Sequence, residues 1–196
     1  MRCILPVILF LTLPAFAGPP PEPRITERDG RLVLELPQEL HEELAIRAPL
    51  FHKFSDSDFI PEVVEYLPTL RQQGVQLLAT VVGDFDGNGL ADVVMGGHIA
   101  EQTKLLLILT TPQGYEFHIY DGGPFDPHTW LGVGNGKKQY GLWGYLRKVP
   151  RGKIISPYET HPLDLEGDAF ESVAWGKAAV LNYWEDGKLK RYITSD

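Results

Sequence analysis

The segment from Val82 to Val94 reads VGDFDGNGLADVV. Asp84, Asp86, Asn88 and Asp92 fall on one alternating set of positions, with Gly83, Gly87 and Gly89 among them and apolar runs of β type on either side. With Asp84 as position 1, Asp86 is 3, Asn88 is 5, Leu90 is 7 and Asp92 is 9. Calcium takes about six to eight oxygens at roughly 2.3–2.6 Å. A tightly coiled loop turns alternate side chains toward one centre, so this spacing suits such an ion. Position 7 offers its backbone carbonyl in loops of this kind, which makes an apolar Leu90 harmless there. Gly87 and Gly89 permit the positive φ angles of the coil. A plain polar turn on Asp-Gly or Asn-Gly needs only about two to five residues, and this stretch is longer. The all-oxygen donor set disfavours soft metals.

Position 12 is Met95. A helix–loop–helix calcium hand requires a bidentate Glu there and helices on both sides, and neither is present. The segment GDFDGNGLADVV instead resembles the FG-GAP / VCBS-type repeat, the calcium loop between strands of integrin-α-like propeller blades. The resemblance implies calcium on Asp84, Asp86, Asn88 and Asp92, with a backbone oxygen from Leu90. It covers about 15 residues, or about 45 with the strands that would complete a blade. A propeller needs roughly four to eight blades, and this chain carries a single motif. The resemblance therefore implies a small, single-motif exported member of this broad group, without assigned activity. The stretch Tyr183-Trp184-Glu185-Asp186-Gly187-Lys188 and the ending Thr194-Ser195-Asp196 add to the likeness.

Outward from the loop, Val75 to Val82, Asp92 to Met95, Lys104 to Thr111 and Tyr115 to Tyr120 read as four strands joined by short connections, hence antiparallel neighbours. Lys104 to Thr111 (KLLLILTT) is so uniformly apolar that it belongs in the centre of a sheet. Leu142 to Val149 and Lys153 to Ser156 read as strands around Pro150-Arg151-Gly152. Ala178 to Trp184 and Lys188 to Thr194 form a hairpin about Glu185-Asp186-Gly187. Before the loop, Arg31 to Leu36 alternates like a short strand. Pro37 to Arg47 and Ser57 to Leu67 carry helical spacing, the first with acids early and Arg late, as the helix dipole favours. The expected fold is mainly β (α+β): antiparallel meander sheets of short strands with one blade-like four-stranded unit, plus one or two short N-terminal helices.

Arg2, the apolar run Ile4 to Leu13 and Ala15-Phe16-Ala17 predict a secretory signal over residues 1–17. The run is too short for a membrane span, which needs about 20 residues. Residues 18–30, opening with GPPPEP, read as an extended, loosely held Pro-rich segment, and 31–196 as one globular β-rich domain. Cys3 is the sole cysteine, so a processed chain has no disulfide and must rely on core packing or a metal. Without Arg2 the chain carries 17 basic against 26 acidic side chains. That balance argues against nucleic acid or an anionic membrane as partner.

Other stretches offer weaker chemistry. Asp164-Leu165-Glu166-Gly167-Asp168, with Glu159 and His161 nearby, again alternates acids and raises a second cation site, although a solvated acidic loop is the simpler reading. Gly122 to Gly141 is a long irregular stretch. Its GVGNGKK lacks Walker spacing, but Trp130, Tyr140, Trp143 and Tyr145 are candidates for an aromatic surface meeting a protein or glycan, with core packing as the simpler role. His98, His118 and His128 show no spacing that predicts a catalytic contact with a carboxylate, and a zinc site on the three is a minor alternative. The expectation is an exported, monomeric calcium-binding β protein, periplasmic or secreted, acting as a non-enzymatic binding module. The alternatives are a periplasmic inhibitor or immunity-type protein and, behind it, a His/carboxylate hydrolase.

Overall fold

A computed structural model describes residues 18–126, 128–132 and 137–195. The segment read as an export signal and the centre of GVGNGKK lie outside these residues. The described chain is mainly β with two α-helices, as the sequence predicts.

Strand β1 (Arg24–Arg28) pairs antiparallel with β2 (Arg31–Glu35) about Asp29-Gly30, whose φ of 50° and 73° match the twist of a tight hairpin. Helix α1 (Gln38–Arg47) follows Pro37, and β3 (His52–Lys53) is a two-residue strand. A 3-10 turn at Asp56–Asp58 leads to helix α2 (Pro61–Gln72), with Pro61 at the first helical position, where its missing N–H costs nothing.

The first sheet is a meander of β4 (Thr80–Gly83), β5 (Asp92–Ile99), β6 (Gln102–Thr111) and β7 (Gly114–Pro124), each antiparallel to the next. Strand β3 extends it beside the far end of β5. A short hairpin follows, β8 (Trp130–Gly132) with β9 (Lys138–Tyr140). Next come β10 (Gly144–Val149), β11 (Gly152–Ile154), β12 (Leu163–Leu165), β13 (Ala169–Ala174), β14 (Ala179–Glu185) and β15 (Lys188–Ser195). The second sheet has the order β10-β13-β14-β15, and β11 pairs only with β12.

The two sheets face each other through Val81, Phe85, Val94, Leu107, Leu109, Leu146 and Phe170. Alternation along β6 explains its composition. Leu107 and Leu109 point to the second sheet, while Leu106 and Ile108 point to a separate core with Leu40 of α1 and Ile25 and Leu34 of the β1–β2 hairpin. The outer face of the second sheet is covered twice. Residues Val63, Leu67 and Leu70 of α2 share a core with Tyr145 and Val173, and Leu163 and Leu165 pack with Ala169, Leu181 and Tyr192.

Four expectations need correction. Residues 18–30 are not loosely held: Arg24–Arg28 is a strand, Tyr115 Oη donates to Pro21 O (2.6 Å), and Glu22 Oε2 accepts from Ala91 N (2.7 Å). Of the expected Val75–Val82 strand, only Thr80, Val81 and Val82 belong to a strand, β4. Val75 N instead closes the C-terminal end of α2 on Leu70 O (3.1 Å), and Val75 and Leu78 are buried under that helix. Burial satisfies the apolar run without a ladder. The strands on either side of Pro150-Arg151-Gly152 do not pair with each other, because β13 takes the place beside β10. Strand β13 itself, with β1, β3, β8, β9 and β12, has no counterpart in the sequence reading.

Candidate metal centre

The pair Gly83↔Asp92 closes the β4–β5 ladder, and residues 84–91 project beyond it as a loop. Phe85, at an even position, turns into the inter-sheet core and meets Phe170 edge to face (ring centroids 5.6 Å, 74°). That anchor leaves Asp84 and Asp86 on the opposite side of the coil. Gly87 and Gly89 carry φ of 75° and 87°, the left-handed conformation expected of them.

The loop brings together three of the five predicted ligands. One ligand oxygen from each of Asp84, Asp86 and Asp92 lies within 4.8 Å of the others. Two oxygens bound at roughly 2.3–2.6 Å to one calcium ion stand at most about 5 Å apart, so these spacings fit a shared ion. Asn88 stands beside them: its Nδ2 donates to Asp86 Oδ2 (3.0 Å) and to Thr110 O (2.8 Å), and its Oδ1 accepts from Leu90 N (2.7 Å). Leu90 lies on the same coil, half-buried.

The coil holds itself by Asp side chains accepting backbone N–H groups. Asp84 Oδ2 accepts from Gly89 N (3.1 Å), and Asp86 Oδ1 from Asn88 N (3.1 Å). Asp92 is fully buried, and its two oxygens accept from Phe85 N and Thr110 N, both at 2.7 Å. Burial pushes the Asp92 carboxyl up to about 7, and the charges of Asp86 and Asp84 add to the rise against those two N–H donors. Burial likewise raises Asp86, with the neighbouring Asp84 contributing. Asp84 Oδ1 is buried with no hydrogen-bond partner. A buried oxygen without a donor costs about 1–3 kcal/mol, more when charged, and three close carboxylates repel by about 3–4 kcal/mol per pair at an effective dielectric near 20. A divalent cation relieves both costs, so the residues present fit calcium.

Several contributors were not legible in the sequence. Thr110 of β6 grips the loop from the side: its N–H meets Asp92, its carbonyl meets Asn88, and its Oγ1 donates to Ala91 O (2.7 Å). From the second sheet, Asp168 N donates to Asp84 O (2.6 Å), and Asp168 Oδ2 accepts from Asp84 N (3.1 Å) while pairing with Lys148 Nζ (2.8 Å). Burial alone would raise Asp168, but the Lys148 ammonium and the Asp84 N–H outweigh it and hold the carboxyl below its usual range.

The segment 164–168 is thus a buttress for the loop. Asp168 is already paired with Lys148, and Glu159 accepts from Ile193 N (3.0 Å). Among the described residues, Asp84, Asp86 and Asp92 form the only convergent group of three or more acids, histidines or cysteines. The second cation site and a zinc site on His98, His118 and His128 are not assembled there. His118 meets Trp184 at a tilt (4.8 Å, 57°), and His98 stacks on Phe125 (4.4 Å).

The aromatic candidates disperse. Tyr140 is exposed on β9. Trp143 is half-buried, with Lys177 Nζ 4.9 Å over its ring, and Tyr145 is buried against α2. Trp130 supplies backbone to β8, and its side chain lies outside the described part. The expected aromatic surface loses Tyr145 because odd-numbered residues of β10 face α2. In comparisons with known proteins, no protein family, curated protein or solved structure matches this chain.

Proposed function

We propose that the protein is an exported, calcium-stabilised β protein of FG-GAP-like loop chemistry that acts as a non-enzymatic binding module toward a protein or glycan. The observation that carries the reading is the convergence of Asp84, Asp86 and Asp92 around the partnerless Asp84 Oδ1. Calcium would be held by these three carboxylates, with Asn88 and the Leu90 carbonyl completing the set. Its chemistry there is charge neutralisation. The residues around it do the structural work. Phe85 fixes the loop in the core, Thr110 ties it to β6, and Asp168 ties it to the second sheet, so the cation would lock both sheets at one end.

Three carboxylates without a bidentate Glu imply an affinity on the order of 10⁻⁴–10⁻³ M, the range of extracellular sites. An ion held at that strength acts as a staple and leaves little scope for signalling. At about 100-fold excess over the dissociation constant, binding to the folded state alone contributes about 2.7 kcal/mol. For a chain of this size that raises the melting midpoint by roughly 5–11 °C. Thermal melts in chelator and in calcium at that excess test this, with Asp86→Ala expected to remove most of the difference. Equal midpoints for the native sequence in the two buffers would refute the staple. Partner capture with Tyr140→Ala as control tests the binding role separately.

A further inference from the structure

The two facing sheets touch at the end that carries the acidic loop and part at the other. Where they part, a cleft of about 470 Å³ opens between β5, β6 and β7 on one wall and β10, β13, β14 and β15 on the other. That volume lies within the roughly 300–1,000 Å³ of small-molecule sites. Leu105 and Tyr120 line the first wall, with Phe59 and Leu142 among the residues at its end.

The second wall changes character along its strands. Its inward-facing side chains are apolar where the sheets touch (Phe170, Trp184, Leu189); Asn182 and Arg191 stand beside Phe170 in the ladder, and Ser172 stands one pleat further along beside Val180 and Ile193. Ser172 and Arg191 are exposed where the sheets part, so both present polar groups to the cleft. Asn182 is buried, its Nδ2 donating to Ser172 Oγ (3.1 Å) and Val180 O (3.1 Å). Ser172 Oγ accepts that bond, which leaves its own O–H to donate into the cleft. Arg191, opposite Asn182 in the ladder, makes no ion pair among the described residues. The other cation of the cleft, Lys104, is paired with Asp121 across the β6–β7 ladder. The cleft therefore holds one uncompensated positive charge, in a chain whose net charge is −8.

We propose that this cleft binds an amphiphile with an apolar body and a single anionic head, an alkyl or aryl carboxylate. The body lies against Leu105, Tyr120 and Val180, and the head meets the Arg191 guanidinium and the Ser172 hydroxyl. The inference is independent of the cation reading, because the cleft lies at the other end of β5 from Asp92.

Titration calorimetry of the purified protein with decanoate, decanol and decyltrimethylammonium, all below their micellar concentrations, tests it. Decanoate is expected to bind about tenfold more tightly than decanol, from one charge-assisted contact, and the cationic amphiphile more weakly than either. Arg191→Gln should bring decanoate down to the level of decanol while leaving decanol unchanged. Ser172→Trp, at an exposed position that fills the cleft, should abolish binding of both. Equal binding of the anionic and cationic amphiphiles, no binding of decanoate, or decanoate binding unaffected by either substitution would overturn the proposal.

Discussion

Replacing Gly167 by alanine tests how the second sheet supports the acidic loop. Gly167 has no positive φ, so alanine meets no backbone strain there and any effect comes from contact. A Cβ at this position would stand 2.7 Å from Phe85 O, 2.8 Å from Asp84 O and 2.8 Å from Gly87 N. All three are backbone atoms and cannot rotate aside. The two segments cannot slide past each other either, because Asp168 N to Asp84 O and Asp84 N to Asp168 Oδ2 hold them on both sides. Either the loop or the 164–168 segment must move by several tenths of an ångström. Overpacking of this kind costs about 1–3 kcal/mol, or roughly 2–12 °C in melting midpoint for a chain of this size. Moving Asp84 also spoils the three-carboxylate geometry, so the calcium-induced rise in midpoint should shrink. Gly89→Ala is the contrasting variant. Its Cβ meets open space, but its φ is 87°, so it pays only the left-handed backbone cost of about 1–2 kcal/mol. Denaturant unfolding of both variants, with and without calcium, separates contact from strain. A Gly167→Ala protein with wild-type midpoint and wild-type calcium response would refute the proposed buttress.

In cation-depleted buffer, Asp92 takes up a proton in the folded state up to about pH 7, whereas the unfolded chain releases it near 3.8. Its contribution to stability therefore falls as pH rises between these values, by up to about 4 kcal/mol. Saturating calcium should flatten or reverse that slope, as unfolding curves at pH 5 and pH 8 would show. Asp168 behaves oppositely. Its carboxyl lies below 3.8, so its ion pair with Lys148 contributes above that value and is lost as pH falls through the lowered one. Asp168→Asn should be destabilised at neutral pH and lack that acid-side loss, measured by the same unfolding curves from pH 2 to pH 7. Phe170→Ala removes the ring that receives Phe85 between the sheets and should cost about 3–5 kcal/mol, read from the shift of the denaturant midpoint.

Much of the first sheet was legible in the sequence because its signals are local. The β4–β5–β6–β7 meander follows from short connections, and the central place of β6 from its unbroken apolar run. The Asp186-Gly187 hairpin follows from its turn residues. The loop was legible for the same reason: alternating acids with glycines form a pattern within nine residues. What the sequence hid is long-range. The pairing of β13 with β10 spans the inserted β11–β12 hairpin, and nothing in AFESVA announces its partner. Thr110, Gly167 and Asp168 serve the loop from 18 to 84 residues away, and each looks ordinary alone. Tyr145 reads like its aromatic neighbours Tyr140 and Trp143, and only the phase of β10 sends it under α2. The polar residues Ser172, Asn182 and Arg191 belong to three strands and line one cleft only once those strands are paired.

The account rests on oxygen atoms of residues 84–92 converging on a divalent ion, and direct calcium titration of the intact protein with Asp84→Asn and Asp86→Ala alongside tests this most directly. One ion per chain at sub-millimolar to millimolar strength, lost in both variants, is the predicted result. No measurable uptake by the native sequence, or uptake that survives both substitutions, would contradict it.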